Sequence, residues 1–133
     1  MTDPGARGET DLAAMLATLR IERRAGSVAY VSVANAGAAL RALALATVVE
    51  AEGVTLVLDA DDARQRGFDI VFEGVWLTLT VHSSLDAVGL TAHVSRVLGD
   101  AGIACNVIAG AYHDHLVVPV DRADEAVEVL TAR

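Results

Sequence analysis

"VWLTLTVHSSLDAVGL", residues 75–90, is the stretch that decides the fold. Every second residue from 75 to 81 is aliphatic, which is the two-residue period of a β-strand with one buried face. A short polar segment follows, and then Leu90, Val94 and either Val97 or Leu98 recur on one face of a helix. The stretch therefore predicts a strand, a polar loop and an amphipathic helix in direct succession.

The rest of the chain divides into alternating strand-like and helix-like segments. The predicted elements are a helix in 11–24 capped by Asp11, a strand in 27–34, a helix in 35–46, two strands in 47–59 that turn at Glu52 and Gly53, a helix in 59–67, two strands in 103–120 broken at 110–114, and a helix in 121–133. Both halves of the chain then have the order strand, helix, strand, strand, helix.

This common order is accompanied by a weak internal repeat. A shift of 62 residues places "VTLVLDADD" (54–62) over "LVVPVDRAD" (116–124), so that Asp59 meets Asp121 and Asp62 meets Asp124. We expect both D-x-x-D pairs to begin helices, where carboxylates accept hydrogen bonds from free amides. The repeat predicts an α+β, ferredoxin-like fold of two βαββα halves, 11–67 and 68–133, after a disordered tail of residues 1–10.

Composition limits the classes of partner. The 133 residues carry a net charge of -8 and contain no basic run, which disfavours binding to nucleic acid or to anionic membranes. No segment has the length and apolarity of a membrane span. The single cysteine, Cys105, lies in an apolar run and favours a reducing, cytoplasmic location. We expect neither a cofactor nor a bound metal.

The second half also resembles a known family. "LTLTVHSSLDAVGLTAHVSRVLGDAGIACNV" (77–107) and "YHDHLVVPVDRADEAVEVL" (112–130) are similar to the small bacterial ACT-domain proteins of the branch that includes the arginine-sensing CASTOR proteins. The resemblance implies two ACT-type halves whose antiparallel sheets pair within a chain or in a homodimer. It also implies a non-enzymatic sensor that binds an amino acid or another small effector near the first strand-helix loop and its glycine.

The residues at this loop are chemically suited to such a ligand. Backbone amides at the start of the helix and serine hydroxyls can hold a carboxylate, and Asp86 or carbonyl groups of the neighbouring strand can hold an ammonium group. An alternative is that Ser84 or Asp86 only caps the helix and Gly89 only allows tight packing. The predicted ligand-binding residues are His82, Ser83, Ser84, Leu85, Asp86, Val88, Gly89, Leu90, Cys105, Asn106, Val107 and Ile108.

The sequence departs from the ACT pattern in three respects. The chain ends after its last helix, so the second half lacks its own fourth strand, and we expect the first half to supply it, with "VAYVSV" (28–33) as the candidate. The loop glycine lacks the proline common in amino-acid-binding members, which leaves the effector type open. The first half has the small, apolar "ANAGAA" (34–39) in place of the polar loop, so we assign the site to the second half.

The histidines and the cysteine could support two other kinds of chemistry, metal binding and catalysis. In "AYHDH" (111–115), His113 and His115 would share one strand face and could chelate a metal with His82 or His93, but the repeat aligns this stretch with the predicted hairpin turn "VEAEG" (49–53). We interpret it as a turn and predict Tyr112, His113, Asp114 and His115 as interface residues.

Catalysis is disfavoured, because Cys105 lies within a predicted strand rather than at a helix start and no nucleophile motif is present. The alternatives to a sensor are an interaction module without an effector and a metal-dependent enzyme centred on His113 and His115.

Overall fold

The computed structural model describes residues 11–81 and 87–132, so the predicted disordered tail lies outside the described residues. Within them the chain forms five α-helices, seven β-strands and a 3-10 turn. The helices are α1 (Leu12–Thr18), α2 (Ala38–Leu43), α3 (Ala60–Gln65), α4 (Leu90–Asp100) and α5 (Ala123–Thr131), and the 3-10 turn is Val120–Arg122. The strands are β1 (Ile21–Arg23), β2 (Val28–Val33), β3 (Ala46–Glu50), β4 (Gly53–Asp59), β5 (Phe72–Leu79), β6 (Asn106–Ala109) and β7 (Asp114–Pro119).

All seven strands belong to one antiparallel sheet in the order β3-β4-β2-β5-β7-β6, with β1 paired to β5. β5 is common to both halves. One of its edges pairs with β7, and the other pairs with β2 near Gly74 and with β1 near Leu77. It therefore closes the first half as its last strand and opens the second half as its first.

The missing fourth strand of the second half is supplied by the first half, as expected, but mainly by a different segment. Only the first three residues of β2 pair with β5, whereas β1 pairs along its whole length, from Ile21 opposite Leu79 to Arg23 opposite Leu77. The prediction of helix across 11–24 is wrong beyond Thr18, where α1 ends. The edge of β5 offers these residues hydrogen bonds, including Arg24 N–H to the Trp76 carbonyl at 3.0 Å, and this tertiary pairing outweighs their helix propensity.

The helices pack on one face of the sheet. Met15 of α1 and Leu98 of α4 are fully buried with Leu77 in the core of the second half, while Leu56 and Ala63 are buried in the core of the first half. The opposite face carries a separate apolar cluster in which Val28, Val57, Trp76 and Val117 are buried. β5 contributes to both faces through its alternating side chains, as its sequence predicts.

The helix starts agree only in part with the repeat. Asp59 accepts hydrogen bonds from the Asp61 and Asp62 amides at 3.0 and 3.3 Å, which confirms the predicted cap of α3. The equivalent prediction for Asp121 is wrong. Pro119 ends β7 and leads into the 3-10 turn, which contains Asp121, so that the N-cap of α5 is Arg122.

The predicted cap of α1 and the predicted turn before β4 are confirmed. Asp11 caps α1 by accepting from the Ala13 amide at 3.0 Å, and Gly53 takes a φ of +153° where the β3–β4 hairpin returns.

Among the described residues, no helix is long and apolar enough to cross a bilayer.

Candidate functional site

The predicted ligand site begins where β5 ends. Five of its residues, His82, Ser83, Ser84, Leu85 and Asp86, lie outside the described residues. The positions on either side are described: Val81 is buried in the core of the second half, and the chain reaches α4 through residues 87–89. β5 therefore precedes the polar segment and α4 follows it, as the sequence predicts.

Gly89 is the N-cap of α4 and has a φ of +108°, a conformation that favours glycine. Its carbonyl accepts the His93 amide at 2.8 Å, the first bond of the helix. A β-carbon at Gly89 would lie 3.0 Å from Leu12 Cδ2, so α1 packs directly against this helix start. Of the neighbouring predicted residues, Val88 is exposed and Leu90 is buried in the core.

The second part of the predicted site lies at β6. Strand alternation places Ile108 on the sheet face without helices, next to the buried cluster around Trp76, whereas Val107 packs against the core under α4 and α5. Asn106 is exposed opposite Val117 on β7. The predicted strand residues are therefore divided between the two faces of the sheet.

Cys105 is half-buried immediately before β6, and burial raises the pKa of its thiol. The thiol is therefore protonated near neutral pH, which makes it a poor nucleophile. Burial also raises the pKa of Tyr30, with a smaller contribution from Cys105.

The "AYHDH" stretch forms the turn between β6 and β7, as the repeat predicts. The Gly110 amide donates to the His113 carbonyl at 2.9 Å, and Asp114 and His115 begin β7. Tyr112 is exposed at the turn and Asp114 is buried. The interface role predicted for these residues stays a prediction.

His115 is held in a specific environment on β7. Its Nδ1 atom lies 2.8 Å from Thr78 Oγ1, and its ring centroid lies 4.9 Å from that of Trp76. Burial lowers the pKa of His115, and nearby His113, with a ring centroid 6.5 Å away, lowers it further. In the described part of the chain, no three histidine, cysteine, aspartate or glutamate side chains are grouped so that they could hold a metal ion.

The contacts of Trp76 and Thr78 with His115 were not anticipated from the sequence. The available signal was the alternation in "VWLTLTVH", which places both side chains on the same face of β5. Alternation alone does not identify the partner strand, because that depends on the register between β5 and β7.

The fold is that of two ferredoxin-like units in tandem that share one antiparallel sheet. Two family models, both described as ACT domain, match residues 7–74 and 71–132. The chain belongs to the ACT-domain family and consists of two tandem ACT domains. This membership supports a regulatory, ligand-binding role, because ACT domains are typically regulatory rather than catalytic.

Solved structures agree with this assignment. A protein of unknown function from Vibrio cholerae, described as a possible transport protein, is 41% identical, covers 90% of this chain and 92% of its own, and superposes with a TM-score of 0.80. The regulatory subunit of aspartate kinase from Thermus flavus has the same fold at 8% identity, with a TM-score of 0.58 over 84% of this chain and 94% of its own.

The aspartokinase alpha and beta subunits are also similar in fold. They are 12% identical, with a TM-score of 0.61 over 83% of this chain and 93% of their own. No curated protein matches the sequence.

Proposed function

We propose that this protein is a non-catalytic sensor that binds an amino acid at the junction between β5 and α4. The observation that carries the proposal is Gly89, which opens α4 at a φ of +108° and, among the described residues, is not accompanied by a side chain that caps the helix. The first-turn amides of an 11-residue helix can then bind an external carboxylate.

The sequence of the loop supplies complementary groups for the rest of the ligand. Ser83 and Ser84 carry hydroxyls that can bind the same carboxylate, and Asp86 carries a charge opposite to that of the α-ammonium group. A free amino acid presents these two groups on one carbon. The chemistry of the segment therefore matches an amino acid better than a simple anion.

Occupancy of this site can influence the N-terminal segment through packing. Leu12 of α1 touches the position of Gly89, and α1 leads into β1, which pairs with β5. A ligand that binds one arrangement of α1 more tightly than another will shift the protein toward that arrangement. This connection is how the sensor would communicate with a partner.

Thermal-shift measurements against the twenty amino acids test the proposal. We expect one or a few of them to raise Tm at millimolar concentration, since a ligand specific for the native state stabilises it by mass action. Asp86→Asn should abolish the shift. Asp100→Asn, at the far end of α4, is the matched control and should retain it. Failure of all twenty to raise Tm, or equal responses of the two variants, would refute the site.

We further propose that the protein is a homodimer joined through β3, an edge strand of the sheet. Half of the exposed large apolar side chains in the described part of the chain lie in residues 43–49, namely Leu43, Leu45, Val48 and Val49. No charge occurs between Arg41 and Glu50, so two chains of net charge -8 can approach there. An antiparallel pairing centred on Val48 would place Glu50 opposite the partner subunit's Ala46 and keep like charges apart.

The same edge favours the second candidate function, an interaction module without an effector. The thermal-shift measurements with the twenty amino acids distinguish the two candidate functions. A dimer that responds to no amino acid is an interaction module, whereas one that responds through Asp86 is a sensor.

A further inference from the structure

A cleft of about 440 Å³ lies on the helix side of the sheet, at the seam between the two ACT domains. We name it the arginine cleft and define it by residues 23–27, which run from the end of β1 to the start of β2, together with Val75 and Val120. Val75 is buried on β5, while Val120 lies in the 3-10 turn that precedes α5. The arginine cleft is separate in sequence from the proposed site between β5 and α4.

Two adjacent arginines, Arg23 and Arg24, line this cleft. Arg23 forms an ion pair with Asp124 at the start of α5, and Arg24 Nη1 lies 3.4 Å from Asp59 at the start of α3. α3 belongs to the first domain and α5 to the second. Adjacent residues of this segment thus connect equivalent helices of the two repeats.

Both guanidinium groups are accessible to a ligand. The side chains of Arg23 and Arg24 are 44% and 38% exposed, and Asp124 is 94% exposed, so water already competes for the Arg23 pair. Each of the two ion pairs is made by one guanidinium nitrogen, Nη1, whereas a guanidinium carries five N–H donors. Donors therefore remain for a second oxyanion.

The shape of this segment leaves room for such a ligand. Gly26 has a φ of +73°, and no heavy atom lies within 4 Å of the position that its β-carbon would occupy. Ser27 is turned toward Glu73, to which its hydroxyl donates at 2.6 Å. The cleft therefore combines an apolar base at Val75 with two cations at its rim, in a chain whose net charge is negative.

We propose that the arginine cleft binds a small oxyanion, a carboxylate or a phosphate, between Arg23 and Arg24. Two guanidinium groups on neighbouring residues can bind such a group with paired, charge-assisted hydrogen bonds. The anion binds the guanidinium nitrogens that the ion pairs with Asp124 and Asp59 do not use. Arg23 contacts a helix of the second domain and Arg24 a helix of the first. Anion binding at this second site therefore depends on how the two domains meet at their seam.

Isothermal titration of the full chain with inorganic phosphate and, separately, with citrate tests this proposal at constant ionic strength. We expect saturable binding of at least one of them that sodium chloride does not reproduce. The double variant Arg23→Gln, Arg24→Gln should bind about tenfold more weakly or not at all. Arg96→Gln, an exposed arginine on α4, is the control and should bind as the wild type does.

Tighter binding of phosphate would identify the oxyanion as a phosphate group, and tighter binding of citrate would identify it as a carboxylate. No saturable heat with either ligand, or equal binding by the double variant and the control, would overturn the proposal.

A second measurement does not depend on the folding of the variants. Phenylglyoxal labelling of the wild-type protein, read by mass spectrometry, should be slowed at Arg23 and Arg24 by the bound anion and be unchanged at Arg96. Equal labelling with and without anion would also overturn the proposal. Both outcomes are independent of amino-acid binding through Asp86, so the two sites can fail separately.

Discussion

The imidazole Nδ1 of His115 lies 2.8 Å from the Thr78 hydroxyl oxygen, and this pair joins β7 to β5 on the sheet face without helices. The ring also packs against Trp76. Protonation would place a charge in this partly buried, largely apolar environment, next to His113. The fold therefore favours neutral His115.

A loss of stability on mild acidification is the expected consequence. The pKa of His115 is lower in the folded chain than in the unfolded one, so between these two values the unfolded state binds more protons. The contribution of His115 to the free energy of unfolding should be constant above about pH 7.5 and fall as the pH drops through about 6.5, where histidine ordinarily titrates. Urea unfolding at several pH values, compared with His115→Gln, measures this slope. An identical slope in the variant would show that another group is responsible.

Gly74 is the position where β5 tolerates no side chain. A β-carbon there would lie 2.5 Å from the Val118 carbonyl oxygen and 2.7 Å from Val117 Cγ1. We expect Gly74→Ala to lower the free energy of unfolding by about 1–3 kcal/mol, since β7 must move to relieve the overlap. Gly99→Ala on α4 is the control, because nothing lies within 4 Å of that position. It should leave stability unchanged or raise it by up to about 1 kcal/mol in the same urea titrations.

The two aspartates related by the repeat should differ in their effect on stability. Asp59 accepts two amide hydrogen bonds at the start of α3, and its removal in Asp59→Ala should cost about 0.5–2 kcal/mol. Asp121 lies in the 3-10 turn and is not the cap of α5, so Asp121→Ala should change stability by less than about 0.5 kcal/mol. Thermal and urea unfolding of both variants provide the comparison. Equal losses would restore the symmetrical capping that the repeat suggests.

The proposed dimer can be disrupted at its edge strand. Val48 and Val49 are 52% and 72% exposed on opposite faces of β3. Replacing both with lysine would place like charges opposite each other where β3 pairs with the partner subunit's β3. We therefore expect sedimentation velocity to show a monomer in place of the dimer. Val88→Lys, a change at a valine that is 83% exposed before α4 in the second domain, should leave the dimer intact. A dimer that survives the double change would have to use another surface.

Much of the fold could be predicted because the relevant signals are local. The alternation in β5, the helical spacing of Leu90, Val94 and Leu98, and the turn at Gly53 each depend on residues that are close in sequence. The repeat then supplied the common order of elements in the two halves. It failed at Asp121, where Pro119 introduces a 3-10 turn that the aligned segment of the first half lacks.

The site was predicted less completely. Gly89 could be identified as a helix start from its position after the polar segment, whereas its contact with Leu12 joins residues far apart in sequence. The environment of His115 likewise requires the register of β7 against β5. Strand alternation predicts that residues 106–108 are divided between the two faces of the sheet. It does not predict which residues they contact there.

By itself the sequence determined the order of the elements in the two halves and the polar loop between β5 and α4, since hydrophobic periodicity and turn residues encode each segment locally. Only the tertiary structure decided that Ile21–Arg23 form a strand, because that outcome depends on the free edge of β5. The same pairing turns Arg23 and Arg24 toward helices of different domains. Such contacts depend on which distant segment pairs with the edge of a given strand. A local sequence pattern does not contain that information.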